Sequence, residues 1–278
     1  MVMNNQNNPA YEAMFNDFIQ ETFGFSFAPW FAANSWDSNY ESYSVIENGQ
    51  MIANVCIYKA DMLIDGKKIP SIQFGAVATR KKARGRGLSR MLMEHVLSLY
   101  PNTLAYLSAN SSVVDFYPKF GFKQIQTYTP QITISINNAH ITDVECHLDT
   151  LKNALLNRGN YSSVLDIVKP YSVPLFHFLM QYEEDTYHLP KCNAIVVATK
   201  KANTLFIADV ISEKPVSFNE IAAELPFTGI ETVTFGFCPD KLDVSPTWKP
   251  TDMTEDPFFI RGDWNLPDKF CFPATSST

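Results

Sequence analysis

The sequence predicts an α+β chain built on mixed, mainly antiparallel sheets flanked by helices, and three observations carry that reading. Extended apolar runs are joined at Asn48-Gly49 and Asp65-Gly66, dipeptides suited to two-residue hairpin turns. At Leu88 the apolar period lengthens: Leu88, Met91, Leu92, His95, Val96 and Leu99 fall on one face of a helix. The charge divides by halves. Residues 1–130 carry 11 Lys+Arg and 10 Asp+Glu, net +1, whereas residues 131–278 carry 11 and 19, net −8.

The elements follow in order. Met14, Phe15, Phe18 and Ile19 set a first helix over 11–22. An aromatic stretch from Phe23 to Tyr43, broken by Gly24 and Pro29, reads as core packing under a loop or as the wall of a substrate pocket. SYSVIE, MIANVCIYKADMLI and KKIPSIQFGAVAT form a meander, and the helix from Leu88 stops at Pro101. TLAYLSA reads as a buried strand, VVDFYPKF as a short helix, and a last strand starts at Gly121-Phe122. In the second half QITISIN alternates as a strand, 143–157 and 170–184 read as helices, and NAIVVATKK pairs with TLFIADVIS across Lys201-Ala202-Asn203. SFNEIAAEL opens with a capping box, Ser217 to Glu220, and ETVTFGFC reads as a strand. Hairpin, helix and strand thus recur in the order of the first half, without its glycines. The expected division is 1–130 and 131–278.

Several classes are excluded at this level. A chain of 278 residues, 46% hydrophobic and 18% charged, has the apolar mass for a large core, which disordered chains lack. A net charge of −7 argues against nucleic acid as a partner. No run approaches the ~20 apolar residues of a membrane span. The opening MVMNNQNNPAYEAMF lacks the cationic flank and apolar core of a secretion signal, and five scattered cysteines read as free thiols. A cytoplasmic protein is expected, with a homo-oligomer left open.

The chemistry concentrates in Val77-Ala78-Thr79-Arg80-Lys81-Lys82-Ala83-Arg84-Gly85-Arg86-Gly87-Leu88. A strand runs into a small, basic loop that opens an amphipathic helix. First-turn amides lack helical partners and lie at the positive end of the helix dipole, so an anion can dock there. Gly85 and Gly87 let a phosphate approach the backbone closely. The loop is not GxxxxGK[ST], and the hairpins before it exclude a parallel dinucleotide unit.

AVATRKKARGRGLSRMLMEHV resembles the main cofactor motif of the GNAT superfamily of acetyl-CoA-dependent N-acetyltransferases, [Q/R]xxGx[G/A] between strand and helix. Ser108-Ala109-Asn110 and Asp115-Phe116-Tyr117-Pro118-Lys119-Phe120-Gly121-Phe122 resemble its second signature. One departure is Lys82, which stands at the first motif position. The resemblance covers residues 1–130. It implies the GNAT fold and acetyl-CoA as cofactor. It also implies that Val77, Ala78 and Thr79 pair with the pantetheine arm, and that Arg84, Gly85, Arg86, Gly87, Leu88 and Ser89, with Lys82 beside them, cradle the pyrophosphate. Asn110 then bonds near the thioester, Phe116 packs along the cofactor, and Tyr117 protonates the departing thiolate. A phenol with an ordinary pKa near 10 is suited to that role, and a packed core tyrosine is the competing reading.

A general base is not evident. Gln73 stands where many members carry Glu, leaving a water relay, Asp37, Glu41 or the C-terminal carboxylate. His140, Asp143, Glu145, Cys146 and His147 lack a second pair at zinc spacing, so no metal is expected, and His95 reads as core. The second half looks like a degenerate copy of the fold, as in the tandem, Eis-like members, where the chain terminus closes on the site. The expected reaction is acetyl transfer to a small-molecule or peptide amine, with the acidic half biasing the choice towards polyamines, aminoglycosides or peptides. A non-catalytic acyl-CoA-binding regulator is the alternative.

Overall fold

The computed structural model describes residues 2–3, 8–138 and 145–277. After a short strand β1 (Val2–Met3), helix α1 (Pro9–Phe23) starts where the Asn8 side chain accepts from the amides of Ala10 and Tyr11, and it ends at left-handed Gly24. A short helix α2 (Ala28–Ala32) follows within the aromatic stretch. Strands β2 (Tyr40–Glu47), β3 (Gln50–Ile64) and β4 (Lys67–Thr79) form the meander. Both expected turns have positive φ at both central residues, 50° and 73° at Asn48-Gly49 and 46° and 73° at Asp65-Gly66. Helix α3 (Leu88–Leu99), β5 (Leu104–Ser108) and β6 (Lys123–Ile125) complete this half. The helix expected across 113–120 is instead two 3-10 turns, at 111–113 and 117–120. Pro118 has no amide hydrogen to donate to a continuous helix.

The second half contains β7 (Tyr128–Ile136), α4 (Leu148–Asn157), β8 (Leu165–Ile167), α5 (Ser172–His177), β9 (Thr186–Leu189), β10 (Ala194–Lys201) and β11 (Thr204–Ile211). Then come α6 (Phe218–Glu224), β12 (Ile230–Phe235), β13 (Thr247–Pro250) and β14 (Phe258–Arg261). The helix expected over 170–184 is α5 followed by a single π turn, Phe178–Tyr182.

Two sheets result, ordered β1-β2-β3-β4-β5-β14-β6, with β8 also on β3, and β13-β7-β12-β11-β10-β9. Each contains the same unit: an antiparallel hairpin, a helix, and a strand returning parallel to the hairpin's second arm. In the first sheet these are β3, β4, α3 and β5; in the second, β10, β11, α6 and β12. The second half also lends strands to the first sheet: β14 lies between β5 and β6, and β8 pairs with β3.

Helices cover both faces of the first sheet, which is why β3 is apolar nearly throughout. Ala53, Val55 and Ile57 pack with Leu92, Met93 and Val96 of α3. Cys56 and Tyr58 pack with Phe15, Phe18 and Ile19 of α1, in a cluster shared with Leu151 of α4 and Val173 of α5. Among the described residues no helix is long and apolar enough to cross a membrane, and no His, Cys, Asp and Glu group could hold a metal ion. His140 and Asp143 lie outside the described residues, as does Thr278.

Candidate active site

The first sheet opens at β4. This strand pairs with β5 only at Ser71–Leu104, Ile72–Ala105 and Gln73–Tyr106, and the two are unpaired beyond. On its other edge β4 bulges: Asn54 faces Ala78 and Cys56 faces Gly75, so Ala76 and Val77 together oppose Val55. Ala76 has a φ of 47°, a left-handed backbone that costs a residue with a Cβ about 1–2 kcal/mol. The buried Asn54 side chain offsets that cost. Its Nδ2 donates to the Ala76 carbonyl at 3.1 Å, while Oδ1 accepts from Ser42 and Ser44 at 2.7 and 2.8 Å. The Tyr11 phenol is hydrogen-bonded to the same two hydroxyls at 2.8 and 2.7 Å. Residues 76–77 are thereby held out of the ladder, beside the opening.

A cleft of about 800 Å³ runs from that opening to the start of α3, along Val77, Ala78, Thr79, Arg84, Gly85, Gly87, Leu88 and Ser89. Gly85 and Gly87 have φ of 81° and 73°, and a Cβ on either would meet no protein atom within 4 Å. Gly87 caps α3 without any side-chain hydrogen bond, and Met91 makes the first helical bond back to Gly87 at 3.0 Å. The preceding first-turn amides therefore remain available to an anion. The Thr79 and Ser89 hydroxyls are 2.6 Å apart and tie strand to helix.

The basic loop divides its labour. Arg84 and Arg90 line the cleft, with Arg84 Nε donating to the Thr79 carbonyl at 3.2 Å. Arg80 is buried, donates to the Met51 carbonyl and pairs with Asp17 and Glu21 of α1. Arg86 forms a bidentate pair with Glu47 on β2, and the guanidinium holds that carboxyl below its usual range.

At the cleft's inner end a second cavity of about 220 Å³ begins, sharing Phe23, Val77, Asn110, Val113 and Tyr117 with the first. Phe25, Phe27, Trp30, Tyr40, Phe74 and Phe176 form its walls. Tyr117 thus stands at the junction. Burial pushes its phenol up to about 12, so it is protonated throughout the neutral range. Among the described residues, no Asp, Glu or His lines either cavity. Asp37 is spent on a turn, accepting from the amides of Asn39 and Tyr40. Glu41 is clasped by Lys59, Tyr43 and Tyr100, and those donors outweigh partial burial, so its pKa falls.

Residues 8–125 match the model of the acetyltransferase (GNAT) domain. This part of the chain is a GNAT domain. Solved structures share the fold across both halves. A probable N-acyltransferase of Enterococcus faecalis V583 superposes with a TM-score of 0.57 at 14% identity, covering 94% of this chain and 71% of its own. A GCN5-related N-acetyltransferase of Anabaena variabilis gives 0.57 and 14%, covering 94% and 72%. Eis1 of Mycobacterium abscessus gives 0.54 and 14%, covering 93% and 73%. At these identities the likeness is one of fold. No curated protein matches the sequence.

Within the GNAT domain, most residues singled out from sequence meet at the two cavities. Val77, Ala78, Thr79, Arg84, Gly85, Gly87, Leu88, Ser89, Asn110, Phe116 and Tyr117 line one or both. Lys82 is exposed and, like Arg86, does not line the cleft. Asn110 Oδ1 accepts from the Ser112 amide and hydroxyl at 3.0 and 2.6 Å, which fixes the turn that leads to Phe116. Sequence reasoning missed Val113 and Arg90. It also missed Ser172, Val173 and Phe176, which arrive from α5 in the other half and carry no local signal.

Proposed function

We propose that the chain transfers an acetyl group from acetyl-CoA to the nitrogen of an amine. The observation that carries this is Tyr117, a phenol kept protonated where an anion-binding cleft meets a substrate-sized cavity. The cleft suits a phosphorylated, elongated cofactor. It offers uncapped first-turn amides, two left-handed glycines free of contacts, and Arg84 and Arg90 at the rim. When bound, acetyl-CoA supplies an activated acyl carbonyl and a thiol leaving group.

The chain's residues supply the rest. Gly85 to Ser89 bind phosphate, and the β4 edge from Val77 to Thr79, unpaired with β5, offers backbone groups to the pantetheine amides. The bulge held by Asn54 keeps Ala76 and Val77 out of the β3–β4 register beside the opening, where a backbone amide would polarise the acyl carbonyl. Tyr117 donates its proton to the sulfur as charge develops there. General-acid groups are worth about 10²–10⁴-fold in rate. Tyr117→Phe is therefore expected to bind acetyl-CoA within a factor of about three of the parent while losing at least ~10²-fold in kcat. Calorimetric titration and thiol release measure the two. Unchanged turnover in Tyr117→Phe removes the acid from the mechanism. Binding of acetyl-CoA with no turnover of any amine favours a non-catalytic acyl-CoA sensor.

A further inference from the structure

The cavity behind Tyr117 specifies its occupant by what its walls omit. Aromatic side chains dominate them: Phe23, Phe25, Phe27, Trp30, Phe74 and Phe176, together with Tyr40. The polar groups in the lining are Tyr40, Ser108, Asn110, Tyr117 and Ser172, all uncharged at neutral pH. The second half carries the chain's net acidity, yet among its described residues Ser172, Val173 and Phe176 alone line this cavity. An alkylammonium entering this space would lose hydration without meeting a carboxylate. Among the described residues of the lining it would also find no histidine or carboxylate to remove the proton that blocks its lone pair. Ring faces attract cations, but that attraction stabilises the unreactive ammonium and so opposes attack.

We infer that the acceptor is a weakly basic aromatic amine, an aniline or aryl hydrazide, bound uncharged with its ring among the phenyl groups and its nitrogen towards Tyr117. This rests on the acetyl-transfer reading and narrows its substrate. The nitrogen of such a compound is neutral at pH 7, so the site needs no side-chain base. In the step, the nitrogen bonds to the acyl carbon as the carbon–sulfur bond breaks. The sulfur takes the Tyr117 proton, the nitrogen sheds one to water, and solvent restores the phenol. The products are an anilide and the free thiol.

The isomers 4-methylaniline and benzylamine separate the ideas, having the same atoms but opposite charge at pH 7. Thiol release with acetyl-CoA is expected to show kcat/KM at least tenfold higher for 4-methylaniline than for benzylamine or spermidine, and independent of pH between 7 and 9. Quenching of tryptophan fluorescence, with Trp30 in the wall, reads binding without turnover. It should saturate with 4-methylaniline at concentrations at least tenfold below those needed for benzylamine. Phe176→Asp should reverse the order of the two isomers. Turnover of benzylamine or spermidine in preference to 4-methylaniline overturns the inference and leaves acetyl transfer standing. If acetyl-CoA binds and no amine is turned over, acetyl transfer falls instead. The fluorescence titration then decides the cavity alone: preference for 4-methylaniline sustains it, and equal or weaker binding overturns it.

Discussion

Asn54 shows how much one buried side chain can hold in place. Its amide bridges two serine hydroxyls on β2 and a strained carbonyl on β4, so both its ends are used. Asn54→Ala would leave those buried partners unsatisfied, at a cost of about 1–3 kcal/mol. It would also release the bulge. Denaturant unfolding should show the stability loss, and kcat/KM should fall at least tenfold even well below the melting temperature. Sequence alone marks Asn54 only as a polar residue inside an apolar run, MIANVCIY; apart from Cys56, its partners Ser42, Ser44 and Ala76 lie on neighbouring strands. Tyr117 was legible because its neighbours, FYPKFGF, are local. Burial raises Tyr117 and Tyr11 alike to about 12, above the ordinary 10. The folded state thus favours the protonated phenols, a stabilisation fully present below pH 10 and lost as the pH rises from 10 to 12. Stability should fall over that alkaline interval, and replacing both residues with Phe should make the fall shallower, the rest coming from other buried phenols and thiols such as Tyr58 and Cys56. The proton that Tyr117 would donate should likewise persist, so no alkaline fall in kcat is expected from it below about pH 10.

The two helices that follow the two hairpins make an internal comparison at the level of the element. α3 starts at Gly87 with no side-chain cap, whereas α6 starts at Ser217 with both hydrogen bonds of a capping box. The Glu220 carboxylate returns to the Ser217 amide at 2.8 Å, placing negative charge at the helix start. The second unit therefore fills with its own side chains the position that the first leaves uncapped, where the proposed cofactor's phosphate would dock. Gly87→Ala should weaken acetyl-CoA binding at least tenfold, because it strains a left-handed residue and adds a methyl group in the cleft. Ser217→Ala should lower the thermal midpoint and leave that affinity unchanged. Both helix starts were readable in sequence, since glycine spacing and capping boxes act within four residues. The basic knot was less so: its count of charges did not reveal that Arg80 and Arg86 are already paired with carboxylates from α1 and β2.

At the scale of the whole molecule, the second half does more than cover the first. It provides β14 between β5 and β6, β8 beside β3, and the α5 wall of the aromatic cavity. The C-terminal segment is tied in as well: Thr275 donates to Asp209 at 2.6 Å, and Asp209 is held bidentately by the buried Arg158. Short strands such as Phe258–Arg261 were invisible in sequence because their identity comes from the strands they join, Leu104–Ser108 and Lys123–Ile125. The hairpins were visible because their turns are self-contained. Residues 1–130 produced alone should lack cooperative unfolding, since β5 and β6 lose the strand between them. Co-expression with residues 131–278 should restore it, as read by calorimetry.

The place of β14 also sets a timetable for synthesis. A ribosome delivers the glycine loop and Tyr117 well before the strand that joins β5 to β6, which emerges only with residues 258–261. While residues 126–257 are being added, β5 and β6 would lack the strand between them, and exposed strand edges invite wrong pairings. A premature stop anywhere before that strand yields a polypeptide with every signature residue and an unclosed sheet. Possession of the motif and competence of the site are thus separated by the time taken to make the rest of the chain.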